Sequence, residues 1–293
     1  MLWYNPYMKR NMPRLGAHVS AQGGFTEALS RAEAMGATAM QIFGSSPRTW
    51  SVRMPDEGDV RAFRARLSES PLRGAVYLHA AYLVNAASVS SDLYRNSVKS
   101  LAGHLHIAET IGAEGLIFHL GSSKGGSREE GIRREAAAIK EVLKEVPGRA
   151  MLFMENTAGG GDKIGATIED SRDLLRAVGS DRLALCFDTA HGFEAGLVPS
   201  YTEKSVRSLF DAWEKETGSG SIRVIHANDS MTESGSHHDR HENIGMGHIG
   251  IKGFEVLAGD ARLRNVPWIL EVPGFDGEGP DRKNLELLRD CFV

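Results

Sequence analysis

Eight short apolar runs recur along this chain, each followed by a longer stretch with helical spacing, and that alternation restricts its fold most. The runs are 14–19 (RLGAHV), 39–44 (AMQIFG), 75–79 (AVYLH), 115–121 (GLIFHLG), 150–156 (AMLFMEN), 183–191 (LALCFDTAH), 223–229 (RVIHAND) and 266–272 (VPWILEV). Nearly continuous apolar runs suit parallel strands buried on both faces. Parallel neighbours need a crossover, which the intervening stretches supply. In 23–36, for example, Phe25, Ala28, Leu29, Ala32 and Met35 fall on one helical face and Gly36 closes the end. Helical spacing returns in 59–67, 91–112, 128–146, 167–179, 203–218, 250–260 and 284–292. The pattern predicts an α/β protein, a single-domain (β/α)8 TIM barrel with its site at the C-terminal face of the strands. A doubly wound sheet is the competitor, but no Gly-x-Gly-x-x-Gly turn follows the first run. No linker or low-complexity tract divides the chain. Residues 14–293 read as the barrel domain and residues 1–13 as an N-terminal extension.

Residues able to hold a metal close six consecutive runs. His79, His119, Glu155, Asp188, His226 and Glu271 lie 40, 36, 33, 38 and 45 residues apart, one βα unit each time. In a barrel those strand ends converge on one face, so residues scattered in sequence would meet in space. The sixth run leaves its strand at Asp188, and the loops add His191 three residues on, and Asp239 and His241 after the seventh strand. Nine donors, five imidazoles and four carboxylates, exceed the needs of one ion. At about four ligands per zinc they suit two or three divalent ions. His18 ends the first run at the same face and reads as a supporting neighbour of the site. His104 and His106 fall within a helical stretch, outside the site. His237 and His238 stand beside Asp239. The glycines at 159–161 either admit a close approach of phosphate or turn the chain.

Composition narrows the rest. Hydrophobic content of 41% with 25% charged residues is that of a globular protein. The net charge of −4 argues against a broad basic face that would hold nucleic acid by counterion release alone. Bound metal could still supply local positive charge. Two cysteines, Cys186 and Cys291, make neither a disulfide framework nor a thiolate metal site, which points to a reducing, cytoplasmic setting. No apolar stretch reaches the length of a transmembrane helix, and residues 1–14 lack the apolar core of a signal peptide.

Several segments carry a resemblance: GAHVSAQGG at 16–24, HAAYLVN at 79–85, FHLGS at 118–122, ENTAGGG at 155–161, FDTAHGFEAG at 187–196, HANDS at 226–230, DRHENIG at 239–245 and ILEVPG at 269–274. Together they resemble the endonuclease IV family, the metal-dependent apurinic/apyrimidinic endonucleases, from Leu15 onward. The resemblance implies a trinuclear zinc centre, with Mn2+ or Fe2+ able to replace one ion. His79, His119 and Glu155 would hold the first ion; Glu155, Asp188, His226 and Glu271 the second; His191, Asp239 and His241 the third. It also implies hydrolysis of the phosphodiester 5′ to an abasic site, with Glu155 and Glu271 as catalytic carboxylates. Arg48, Tyr82 and Leu83 match the residues that enter DNA at the lesion, with Trp50 beside Arg48. The implied partner is duplex DNA carrying abasic or 3′-blocked lesions, cut by a monomer that also cleans 3′ ends. Met231 stands where the family commonly has Lys, and Met246 where an acidic residue is common. The alternatives are a metal-dependent sugar isomerase or epimerase on the same barrel, and a damage-binding protein that does not cut.

Overall fold

Alternation of side chains along each run governs how the sheet closes. In the computed structural model, which describes residues 12–292, the strands are β1 (Leu15–His18), β2 (Ala39–Phe43), β3 (Val76–His79), β4 (Gly115–His119), β5 (Met151–Glu155), β6 (Leu183–Asp188), β7 (Ile222–His226), β8 (Asp229–Ser230), β9 (His241–Glu242) and β10 (Trp268–Leu270). The helices are α1 (Phe25–Met35), α2 (Glu57–Ser68), α3 (Ser91–Ile111), α4 (Arg128–Glu145), α5 (Ile168–Val178), α6 (Thr189–Glu194), α7 (Glu203–Thr217), α8 (Gly250–Gly259) and α9 (Arg282–Asp290). Eight strands close into a parallel barrel in the order β1-β10-β7-β6-β5-β4-β3-β2. This is the (β/α)8 architecture that the alternation predicts. All but Met12 and Pro13 of the extension read at 1–13 lies outside the described residues.

Period-two alternation splits the apolar residues into two cores. Inward-facing Ala39, Tyr77, Ile117, Phe153, Ala184, Cys186, Val224 and Ile269 fill the barrel. Outward-facing Met40, Ile42, Leu78, Leu116, Phe118, Leu152, Leu185, Phe187, Ile225 and Leu270 pack under the helices. Burial of each such Leu, Ile or Phe contributes about 1.5–3 kcal/mol. Helix ends are set locally. Ser90, Thr167 and Asp281 cap their helices by accepting a backbone N–H, and Ser127 forms a capping box with Glu130. Gly36, Gly112 and Gly179 close helices in the left-handed conformation.

Two elements go beyond the predicted pattern. Residues 189–194, expected to be loop, wind into α6, because Asp188 caps it by accepting the N–H of His191 at 2.8 Å. Gly192 lets this helix lie on Phe187, where a Cβ would come within 2.8 Å of the ring. The second is the antiparallel pairing of β8 with β9, Ser230 opposite His241, which folds the 231–240 segment back over the barrel mouth.

Outward packing holds β6, and with it Asp188, through Phe187. Trp213 of α7 is fully buried and meets the Phe187 ring edge-on at 5.1 Å. Trp213→Ala is expected to lower the unfolding free energy by about 3–5 kcal/mol in a denaturant titration.

Candidate metal centre

One step of the alternation above the inner core lies a layer of polar residues. Two positions beyond Tyr77, Ile117, Phe153, Cys186, Val224 and Ile269 come His79, His119, Glu155, Asp188, His226 and Glu271. The same step from Ala39 gives Gln41, and His18 completes the ring on β1. Register carries the layer across the sheet, with His119 opposite Glu155 and Asp188 opposite His226. All six ligand-type residues predicted at strand ends therefore meet at the C-terminal mouth.

Their donor atoms converge in overlapping groups: His79, His119 and Glu155; Glu155, Asp188, His226 and Glu271; Asp188, His191 and His241; and His191, Glu194 and Asp239. Within each group one donor atom per residue lies within 4.8 Å of the others. The two oxygens of Glu155 divide the work. Oε2 faces His79 Nε2 at 3.2 Å and His119 Nε2 at 3.0 Å, while Oε1 faces His226 Nδ1 at 3.0 Å. His191 Nε2 approaches Asp239 at 3.3 Å, and His241 Nε2 stands 3.7 Å from Asp188 and from Asp239.

Hydrogen bonds on the far side of each ring fix which nitrogen points inward. His79 Nδ1 donates to the carbonyl of Ala80 at 2.9 Å, His191 Nδ1 to that of Asn156 at 2.9 Å, and His241 Nδ1 to that of Glu271 at 3.4 Å. His226 is turned over. Its Nε2 donates to Gln41 Oε1 at 2.9 Å and leaves Nδ1 to the site. The Gln41 amide spans the barrel, because its Nε2 donates to Glu271 Oε1 at 2.5 Å and meets His18 Nδ1 at 2.9 Å. Asn228 donates to Asp188 Oδ2 at 2.6 Å and accepts the Glu271 N–H at 2.7 Å, and Asn156 brackets the Asp188 backbone. Imidazoles anchored through one nitrogen, with the other turned to the carboxylates of the centre, are the pattern of metal ligands supported by their surroundings.

Electrostatics make the same demand. Burial alone would push Glu155 up, but His119 and His226 outweigh it and hold its carboxyl well below the usual range. Glu271 is likewise buried, and His226 and His18 hold it low. Burial lowers His191 and His226, yet Asp188 and Asp239 raise His191, and Cys186 followed by Glu271 and Glu155 raise His226, both well above the ordinary imidazole value. Burial dominates at His18 and lowers it. Among the described residues no Lys or Arg side-chain nitrogen lies within 4.0 Å of the carboxylate oxygens of Glu155, Asp188, Asp239 or Glu271; imidazoles are the only ionic groups that meet them. Buried charge without a fixed cation is costly, and divalent metal is the remedy that this donor set fits. His191 Nε2 and His241 Nε2, buried without hydrogen-bond partners, fit it too.

The surrounding loops assign the remaining residues. Asp229 turns away from the site and accepts backbone N–H groups of Ser230, Gly245, Gly247, Ile249 and Gly250. His237 takes a left-handed backbone, φ 58°, and donates to the Ala158 carbonyl at 3.0 Å against Gly159 and Gly160. Gly159, Gly160 and Gly161 all have positive φ, so this tract turns the chain and receives the His237 loop. His238 is exposed. On α3, His106 is exposed, whereas His104 is buried beneath Gly44 and bonded to the Ser100 carbonyl. Tyr82 and Leu83 project at the rim, 65% and 37% exposed, with Tyr82 edge-on to Phe43 at 5.4 Å. Arg48 is exposed on the loop after β2, Trp50 half-buried near it. A cleft of about 1120 Å³ opens over the centre, lined by His18, Tyr82, His119, Asp239, His241 and Glu271 among others.

A family described as a xylose isomerase-like TIM barrel matches residues 29–291. A protein named probable endonuclease 4 from Solibacter usitatus is 38% identical over 283 residues, 94% of this chain and 96% of that one. Another of that name, from Nitratidesulfovibrio vulgaris, is 35% identical over 280 residues, 95% of this chain and 98% of its own. The crystal structure of endonuclease IV from Thermus thermophilus matches with a TM-score of 0.83 at 34% identity, over 95% of this chain and 98% of that chain. A D-tagatose 3-epimerase-like protein matches with a TM-score of 0.69 at 18% identity, over 95% of this chain and 96% of that one, a likeness of fold alone.

Two outcomes test the centre. Gln41→Leu strands His226 Nε2 and Glu271 Oε1, and should weaken metal binding about 10–100-fold in a competition titration with a chelator. The pH dependence of the metal-free protein has a definite sign. The raised His191 and His226 contribute stability that is complete below their ordinary value of 6.5 and lost as pH rises through their raised values. The depressed Glu155 and Glu271 contribute above their ordinary 4.5 and lose it as pH falls. Thermal unfolding of the metal-free chain should therefore peak between these values and decline on the alkaline side.

Proposed function

Because this chain belongs to the endonuclease IV family, and is a hydrolase of the apurinic/apyrimidinic endonuclease type, we propose that it hydrolyses the phosphodiester 5′ to abasic sites in duplex DNA. The products are a 3′-hydroxyl and a 5′-deoxyribose phosphate. The observation that carries the proposal is the chain of donor groups that share Glu155, Asp188 and His191 at the barrel mouth. His79, His119 and Glu155 would hold one zinc ion; Glu155, Asp188, His226 and Glu271 a second; His191, Asp239 and His241 a third. Manganese or iron is able to replace one of them.

Charge decides how many ions suit an anionic substrate. With neutral imidazoles, Glu155, Asp188, Asp239 and Glu271 bring four negative charges. Two divalent ions cancel them, and a third leaves a surplus of about two positive charges facing a phosphodiester. Bound divalent ions supply Lewis-acid polarisation of the phosphate and lower the pKa of water toward neutrality. The protein does the rest. Glu271, fixed by Gln41 and by the Asn228 bond to its N–H, and Glu155, fixed by four imidazoles, orient the attacking water through carboxylate oxygens. His119 and His241, partly exposed, face the cleft where the phosphate would lie.

Lesion recognition falls to the rim. An abasic nucleotide has lost its stacking, so extruding it costs less than flipping an intact one. Tyr82, braced by Phe43, and Leu83, both exposed, would enter the gap as a wedge, while Arg48 meets the DNA backbone. Met231 and Met246 are 51% and 61% exposed and bring no charge to the surface. We further assign removal of 3′-blocking groups to the same centre, residues 14–293 to the catalytic domain, residues 1–13 to an extension, and monomeric action in the cytoplasm to the protein. Among the described residues no helix is long and apolar enough to cross a membrane.

The test is a duplex with one tetrahydrofuran abasic analogue, beside an undamaged duplex. Metal-loaded protein should cut only the first and leave a 3′-hydroxyl, and Glu271→Ala should reduce kcat/KM at least about 10³-fold. An intact analogue duplex, with turnover of a ketose or aldose instead, would move the assignment to isomerisation.

A further inference from the structure

Glu194 is a further carboxylate at the mouth and has no part in the nine-residue centre. It lies three positions after His191 on α6, so both side chains share a helix face. The residue is fully buried, 0% exposed. Its two oxygens are treated differently. Oε1 accepts from Ser230 Oγ at 2.7 Å, from the Arg240 backbone N–H at 3.2 Å and from Thr232 Oγ1 at 3.4 Å. Oε2 is enclosed and has no partner at all. A donor atom each from Glu194, His191 and Asp239 lies within 4.8 Å of the other two, and His191 Nε2 is itself without a hydrogen-bond partner.

We propose that Glu194 is a fourth protein ligand of the third metal ion, through Oε2, alongside His191, Asp239 and His241. A buried carboxylate oxygen without a donor is costly unless a cation meets it. Its saturated twin oxygen anchors the loop between β8 and β9 at Arg240, between the two ligands Asp239 and His241. The carboxylate thus joins the ion to the loop that carries the rest of its site. An added anionic oxygen makes the third ion the more tightly held, and reduces the surplus charge offered to phosphate by one.

The inference rests on the three-ion reading above, and metal binding separates the two. Zinc stoichiometry by mass spectrometry and zinc affinity by competition with a chromophoric chelator are measured for wild type, Glu194→Gln and Glu194→Ala. Thermal unfolding of each metal-free form is recorded beside them. The proposal expects both variants to lose at least about tenfold in affinity for one of three ions. It also expects Glu194→Gln, which keeps the oxygen that Ser230 and Arg240 use, to leave the metal-free Tm unchanged. Wild-type affinity for three ions in either variant overturns it, as does a fall in metal-free Tm with all affinities intact. Fewer than three ions on the wild type overturns the three-ion reading, and this one with it.

Discussion

The structure depends on one buried carboxylate. Glu155 is fully enclosed, and His79, His119, His191 and His226 approach its two oxygens at 3.0–3.2 Å with no Lys or Arg among them. A lone carboxylate in such a place would normally be protonated. Here surrounding imidazoles keep it ionised, and no Lys or Arg supplies a fixed cation to its oxygens. The barrel makes this possible. Only parallel strands of closed register bring residues 33 to 45 positions apart in sequence to the same height on one face.

How much of this is legible in the chain depends on the distance over which each position is set. Strands, helices and the six ligand-type residues at strand ends follow from local rules: apolar runs, helical spacing and a period of two. Gln41 is open to the same reasoning, since it stands two residues after Ala39 as His79 does after Tyr77. It is missed because the apolar run continues through Ile42 and Phe43, and because an amide is not an obvious ligand. Asn156 and Asn228 are harder, because a carboxamide beside a ligand is ordinary loop chemistry until Asp188 and Glu271 are known to lie against it. Glu194 depends on α6, a short helix capped by Asp188. The left-handed His237 has no local signal at all, as its conformation is imposed by Gly159, Gly160 and the Ala158 carbonyl.

Barrel and strand-end ligands alone do not separate DNA repair from sugar chemistry, since the fold hosts both. The difference lies in what is built on the mouth. The segment folded back between β8 and β9 brings Asp239 and His241 to His191, and the rim after β3 exposes Tyr82 and Leu83 rather than closing over a small ligand. A net charge of −4 does not oppose a DNA substrate where bound metal would supply the attraction locally rather than over the surface.

The most direct test is diffraction from zinc-loaded crystals above and below the zinc absorption edge. Three anomalous peaks are expected: one between His79 Nε2, His119 Nε2 and Glu155, one at His226 Nδ1 with Glu155, Asp188 and Glu271, and one at His191 Nε2 with Asp239 and His241. Absence of density between these donors, or an ion bound through His226 Nε2 with Gln41 displaced, would contradict the trinuclear centre.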